Sequence, residues 1–183
     1  MISQTAHFPG LTPRRLYDAF LSADDHAAMT GDGRQRVSYQ RPDGSPADVP
    51  QAGDRLLAFG QPASDGTVEY RLTARLLELL AAERIVMAWR TAAWDAAVGA
   101  ASATTDSIVI LRFAATMAGT EILLDQAGVP AHEVYLPDTG ERGPLESIVN
   151  THWNLLYWEP MRHYFSAPGS TTASLSRTAG MSG

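Results

Sequence analysis

One order of patterns constrains this chain more than any single residue. Period-two runs fill most of residues 34–126, and a long stretch with helical spacing comes only afterwards, from about Leu145 to Phe165. Within the first region TVEYRLTARLLELL sets Val68, Tyr70, Leu72, Ala74 and Leu76 against Glu69, Arg71, Thr73 and Arg75. That alternation gives one dry and one wet face, as in a half-buried strand. Helix propensity over LTARLLELLAAER competes, so an amphipathic helix stays open there. RQRVSYQ, LLAFG, ERIVMAWR, DSIVILRF and TEILLDQAGV read as further strands, bounded by Gly and Pro. Five or six strands in sequence predict an antiparallel meander.

Ahead of the meander, ISQTAHF reads as a first strand, and LTPRRLYDAFLSADDHAAMTG as two short helices. Thr12 caps the first, Pro13 takes its first position, and Leu16, Ala19 and Phe20 share a face. Ser22 opens the second, with Asp24 and Asp25 in its first turn and Gly31 closing it. After the meander, VPAHEVYLPDTGERGP reads as a long loop. On the last helix Ile148, Val149, His152, Trp153, Leu156 and Tyr157 form a broad apolar stripe. Pro160 has no N–H for the Leu156 carbonyl, which predicts a bend or a new helical segment there. The chain divides into one domain over residues 1–165 and a flexible tail over 166–183, the tail being small and polar.

A strand, two short helices, a meander and one long helix are reconciled by an α+β fold in which a curved antiparallel sheet wraps the C-terminal helix. One helix cannot fill the concavity of such a sheet, so the space between them is the default ligand site. Composition narrows the occupant. The 183 residues carry a net charge of −6, and all 14 basic residues are Arg. That balance disfavours nucleic acid and anionic membranes, both of which call for clustered cations. No apolar run has membrane-spanning length and the N-terminus lacks a signal peptide's regions, so the expected location is the cytoplasm. With no Cys, thiolate nucleophiles and zinc–thiolate sites are excluded.

Three stretches, ERIVMAWRTAAW, GTEILLDQAGVP and HWNLLYWEPMRHYF, resemble successive signature segments of the family related to the activator of heat-shock protein 90 ATPase. That family lies within the START-like (SRPBCC, helix-grip) superfamily. The matches are Trp89, Arg90 and Trp94; then Gly119, Thr120, Gly128, Val129 and Pro130; then Trp153, Tyr157 and Trp158. His152 stands where the family has a glycine before the helix Trp. The likeness runs from about Ile2 to Phe165 and implies the helix-grip fold. It also implies either an apolar or amphipathic small-molecule ligand or a chaperone partner. The family includes many bacterial proteins made of this domain alone.

The candidate ligand-binding residues are Trp89, Trp94, Gln126, His152, Trp153 and Tyr157. Trp153 and Tyr157 lie one turn apart and face the sheet, either as core or as ligand contacts. Trp89 ends a strand, and Trp94 begins a small-residue stretch placed as a lid over the pocket mouth. Gln126 is in phase with Ile122 and Leu124, so its amide points inward, to satisfy a neighbour or orient a ligand. His152, beside Trp153, is either a rim histidine or a contact for an acidic ligand.

No catalytic residues, metal or cofactor are assigned. His26 neighbours Asp24 and Asp25, His132 neighbours Glu133, and Glu159 precedes His163 by four residues. Adjacent residues do not face each other, and the last pair is the pattern of a surface ion pair. There is no HExxH, no Gly-x-Ser-x-Gly elbow, no phosphate loop and no dinucleotide fingerprint. The leading expectation is a non-enzymatic binding domain, monomeric or homodimeric. A chaperone-interaction module is the second reading. An enzyme of the cyclase or hydrolase kind is the third, and it requires His26, His152 or an acid lining the cavity.

Overall fold

The computed structural model describes residues 1–91, 107–129, 133–136 and 140–167. Trp94, the small-residue stretch after it, His132 and all of the tail beyond Ala167 lie outside the described residues. Strand β1 spans Ile2–Pro9, helix α1 Pro13–Leu21 and α2 Ala23–Ala28. Six strands follow: β2 Arg36–Gln40, β3 Arg55–Pro62, β4 Val68–Leu80, β5 Arg84–Thr91, β6 Ser107–Thr116 and β7 Gly119–Ala127. They make one seven-stranded antiparallel sheet in the order β1-β7-β6-β5-β4-β3-β2, so β1 adds to the expected meander as an edge beside β7. The motif that opens β7 holds this edge. A Cβ on Gly119 would lie 2.3 Å from the Phe8 carbonyl oxygen, and the Thr120 hydroxyl donates to the Leu11 carbonyl at 2.7 Å.

The capping residues act as their sequence positions foretell. Thr12 Oγ1 accepts from the Arg15 amide and Ser22 Oγ from the Asp25 amide, each at 3.2 Å. Leu16, Ala19 and Phe20 are buried, and the Tyr17 ring meets Phe113 of β6 edge-on at 5.8 Å. In the contested segment the strand wins: β4 buries Leu72, Ala74 and Leu76 and exposes the residues between. Its register shifts between Leu76 and Glu78, which turns Leu77 outward.

One expectation is corrected. The supposed long loop before the last helix contains a small antiparallel pair, β8 Glu133–Leu136 with β9 Glu141–Pro144. Val134, Tyr135 and Leu136 are strand formers whose signal the surrounding Pro and Gly obscured. The long C-terminal helix changes its geometry at the place where Pro160 predicts a bend or a new segment. It runs as α3 Leu145–Trp153, a π-helical turn over Asn154–Trp158, and α4 Glu159–Ser166. The Glu159 amide donates five residues back, to the Asn154 carbonyl. Pro160, placed at the start of α4, is the reason predicted from sequence.

Long-range polar contacts seat this composite helix on the sheet at one end and on α1 and α2 at the other. Gln4 of edge strand β1 donates to the Asn150 carbonyl at 2.7 Å and accepts from the Trp158 indole at 2.5 Å. At the other end, Asp25 accepts from Arg15 at 2.9 Å and from the Tyr164 hydroxyl at 2.7 Å. Arg15 also lies over the Phe165 ring, 5.2 Å from its centroid. No helix among the described residues is long and apolar enough to cross a membrane.

Candidate functional site

The space between helix and sheet is occupied by rings delivered from separate elements. The π turn explains how the helix contributes three of them. In a wide turn, residues five apart come into line, and Trp153 stacks on Trp158 at 5.4 Å with planes 20° apart. Tyr157 sits between them in sequence and lies 4.7 Å from Trp153. From the sheet, Trp89 of β5 approaches Trp153 to 4.9 Å and Tyr157 to 5.9 Å. From α1, Phe20 stacks on Tyr157 at 6.1 Å. All five side chains are buried.

Phe59 of β3 completes the cluster by an unusual route. It follows the inward-facing Ala58 in the strand, so alternation would point it outward. Its φ of +55° turns the ring inward instead, edge-on to Tyr157 at 5.8 Å. A bulky residue in the left-handed region is a strained position.

Two polar networks run through the rings. In the first, Gln126 of β7 accepts from the Trp153 indole at 2.7 Å and donates to Ser107 Oγ at 2.8 Å. Ser107 in turn donates to the Trp89 carbonyl at 3.2 Å. Gln126 and Ser107 are fully buried, so both ends of the amide are committed to protein partners. The second network is centred on His26 of α2, which is 1 % exposed. Its Nδ1 lies 3.0 Å from the Phe20 carbonyl and 3.1 Å from the Tyr39 hydroxyl, and its Nε2 lies 3.3 Å from the Tyr157 hydroxyl. The Tyr39 hydroxyl donates to the same Phe20 carbonyl. One tautomer satisfies every group: Nδ1–H donates to Phe20, and Nε2 accepts from Tyr157.

Burial sets the protonation states. Removal from water pushes the His26 pKa down to about 4, against a smaller opposing effect of the Phe20 carbonyl. The same desolvation raises Tyr39 and Tyr157 well above the ordinary phenol range. The centre is therefore neutral, with an imidazole and two phenols set in an apolar shell.

Of the residues singled out from sequence, Trp89, Gln126, Trp153 and Tyr157 come together in this cluster. His152 is half-buried in the last turn of α3. Trp94 lies outside the described residues. Phe20, Phe59, Tyr39 and Trp158 joined the cluster without being chosen, and His26 entered the sequence reading as a neighbour of two aspartates and as one of the residues that an enzyme would need lining the cavity. Only Trp158 carried a usable signal, lying five residues after Trp153 and two before Pro160. Among the described residues no group of three or more His, Asp and Glu is placed to hold a metal ion.

A single terminal helix gripped by a curved antiparallel sheet, with its aromatic side packed into the concavity, defines the helix-grip class. Residues 11–152 match the family described as activator of Hsp90 ATPase homolog 1-like protein, and the chain belongs to that family. Solved structures share the fold. An Hsp90 activator from Plasmodium falciparum is 19% identical, with TM-score 0.57 over 91% of this chain and 96% of that one. The AHSA1-like protein of Aeromonas hydrophila is also 19% identical, with TM-score 0.56 over 92% and 94%. A protein from Mesorhizobium loti reaches TM-score 0.56 at 16% identity, over 90% and 96%. Curated protein sequences gave no match.

Proposed function

We propose that this protein is a non-catalytic binding domain for a flat apolar or amphipathic small molecule, held between the C-terminal helix and the curved sheet. The observation that carries this reading is the composition of the cluster. Rings from α1, β3, β5 and the π turn surround a neutral His26–Tyr157 pair. Apolar walls with a few convergent polar groups are the usual make-up of a small-molecule site. Trp89, Trp153 and Tyr157 would supply the walls in this reading. Trp94 and His152 would act at the mouth, and Gln126 would fix the orientation of Trp153. Strain at Phe59 fits a ring that turns aside when a ligand enters.

Solvent extraction of the purified, denatured protein followed by mass spectrometry tests the reading, together with a titration of intrinsic tryptophan fluorescence by fatty acids and flat aromatic compounds. A stoichiometric co-purified molecule or a saturable change in emission is expected. An empty protein with unchanged emission across both compound classes overturns it. Family membership favours a second reading, contact with a chaperone. A pull-down of Hsp90 by the purified protein, with stimulation of the chaperone's ATPase, would replace the ligand reading.

A further inference from the structure

The face of the sheet turned away from the helix carries a charge arrangement unlike the rest of this acidic chain. Arg55 of β3 and Arg75 of β4 are direct cross-strand partners. Both are exposed, and their neighbours Leu56, Ala74 and Leu76 point to the core. Like charges directly opposite one another destabilise a strand pair. Yet neither guanidinium forms an ion pair or hydrogen bond among the described residues. The register extends the basic character. Arg71 lies on the same face of β4, and Arg90 of β5 pairs with Thr73, between Arg71 and Arg75. The half-buried Leu57, opposite Thr73, adds an apolar shelf. The acids on this face of β4 are Glu69, beyond Arg71, and Glu78, which follows the register shift and is already paired with Arg84 at 2.6 Å.

The geometry points to this outer face of β3–β5 as a docking surface for an acidic, partly apolar segment of a partner protein, with Arg55 and Arg75 gripping its carboxylates. Guanidinium forks pair with carboxylates in a planar, two-point fashion, and two of them about 5 Å apart at their Cα atoms suit a chain with acids at alternate positions. A net charge of −6 repels an extended polyanion at long range, whereas a short acidic segment is drawn in only locally. That distinction selects a protein segment over nucleic acid. The surface lies on the opposite side of the sheet from the aromatic cluster, so the inference does not rest on the proposed ligand.

The test uses the full chain and a fluorescein-labelled peptide alternating Asp and Leu, read by anisotropy at low and raised salt. Saturable binding that weakens with salt is expected, and about tenfold weaker binding for Arg55→Glu and for Arg75→Glu. Each single reversal also turns a repulsive cross-strand pair into an attractive one, so the variants should melt no lower than the parent. Loss of binding then cannot be blamed on unfolding. Arg162→Glu on α4 is the control and should bind like the parent. Three outcomes overturn the inference: no binding beyond that of an Asn–Leu peptide, equal affinity for a single-stranded DNA of matching charge, or unchanged binding in both reversals. Sedimentation velocity adds a fourth, since a parent dimer abolished by Arg55→Glu would assign the face to self-association.

Discussion

The backbone amide of Gly31 donates to the carbonyl of Leu156 at 2.8 Å. That carbonyl is the one Pro160 cannot serve, because proline has no N–H to offer four residues on. The loop after α2 thus supplies a donor that the helix lacks, and holds the π turn against the domain. Gly31 has φ of +53°, and a Cβ there would lie 2.0 Å from the Gln35 side-chain nitrogen. Gly31→Ala is expected to cost about 1–2 kcal/mol from backbone strain alone, more while Gln35 blocks the methyl. Urea denaturation of Gly31→Ala and of the double variant with Gln35→Ala checks this. Partial recovery in the double variant separates the clash from the strain.

Stability should depend on His26 over a defined pH window. Its folded pKa is about 4, against an ordinary value of 6.5. The unfolded chain therefore binds the proton first, and stability falls as pH drops from 6.5 toward 4, being fully present above that window. The loss should approach about 3 kcal/mol at the acid end, since one unit is worth about 1.4 kcal/mol. Most of the window lies above the range in which Asp125 titrates, because hydrogen bonds from Arg112 and Ser3 hold that carboxylate low. Urea midpoints measured from pH 7 to pH 4.5 check this, and His26→Gln should flatten the slope. An equally steep slope in that variant would locate the effect elsewhere.

What the sequence made legible, and what it hid, follows from the range over which each signal acts. Thr12 and Ser22 cap helices through bonds three residues long, so a local motif suffices. Gln126 is legible because its strand alternates cleanly, which forces the amide inward beside Ile122 and Leu124. β4 resolves against its helix propensity because the paired faces of β3 and β5 reward alternation, a tertiary effect that a window of residues underweights. His26 is different. Its partner Tyr157 lies 131 residues away, and nothing near either residue announces the pair. Pro160 signalled a break, but the donor that meets the freed Leu156 carbonyl in the widened turn comes from Gly31, far away in sequence.

The Gln126 network should behave as a unit. Gln126→Leu leaves the Trp153 indole N–H without its acceptor and deprives Ser107 of a partner, which should cost about 2–3 kcal/mol. Trp153→Phe removes the indole donor together with part of a ring. In a double-mutant cycle the two changes should be markedly less than additive, because the second no longer strands a buried group. Additive costs within about 0.5 kcal/mol would mean that the hydrogen bond contributes nothing. Chemical denaturation followed by far-ultraviolet circular dichroism gives the four stabilities without relying on the altered tryptophan.

Phe59 offers a test whose sign is unusual. In an ordinary strand, glycine is less stable than alanine by about 0.5–1 kcal/mol, because it has more freedom to lose on folding. At Phe59 the backbone is in the left-handed region, with φ of +55°, which penalises any Cβ by about 1–2 kcal/mol. Phe59→Gly and Phe59→Ala both remove the ring that packs on Tyr157, so the loss of that contact cancels in their comparison. What remains is backbone conformation, and Phe59→Gly should then be the more stable of the two by up to about 1 kcal/mol. Both variants should fall below the parent, since removing a buried phenyl ring costs about 3–5 kcal/mol. Parallel urea titrations of the three proteins give the order. Alanine above glycine would show that the chain at residue 59 relaxes to ordinary strand geometry once the ring is gone. The ring would then hold the backbone in place, and strain at Phe59 would no longer support a side chain poised to turn aside for a ligand.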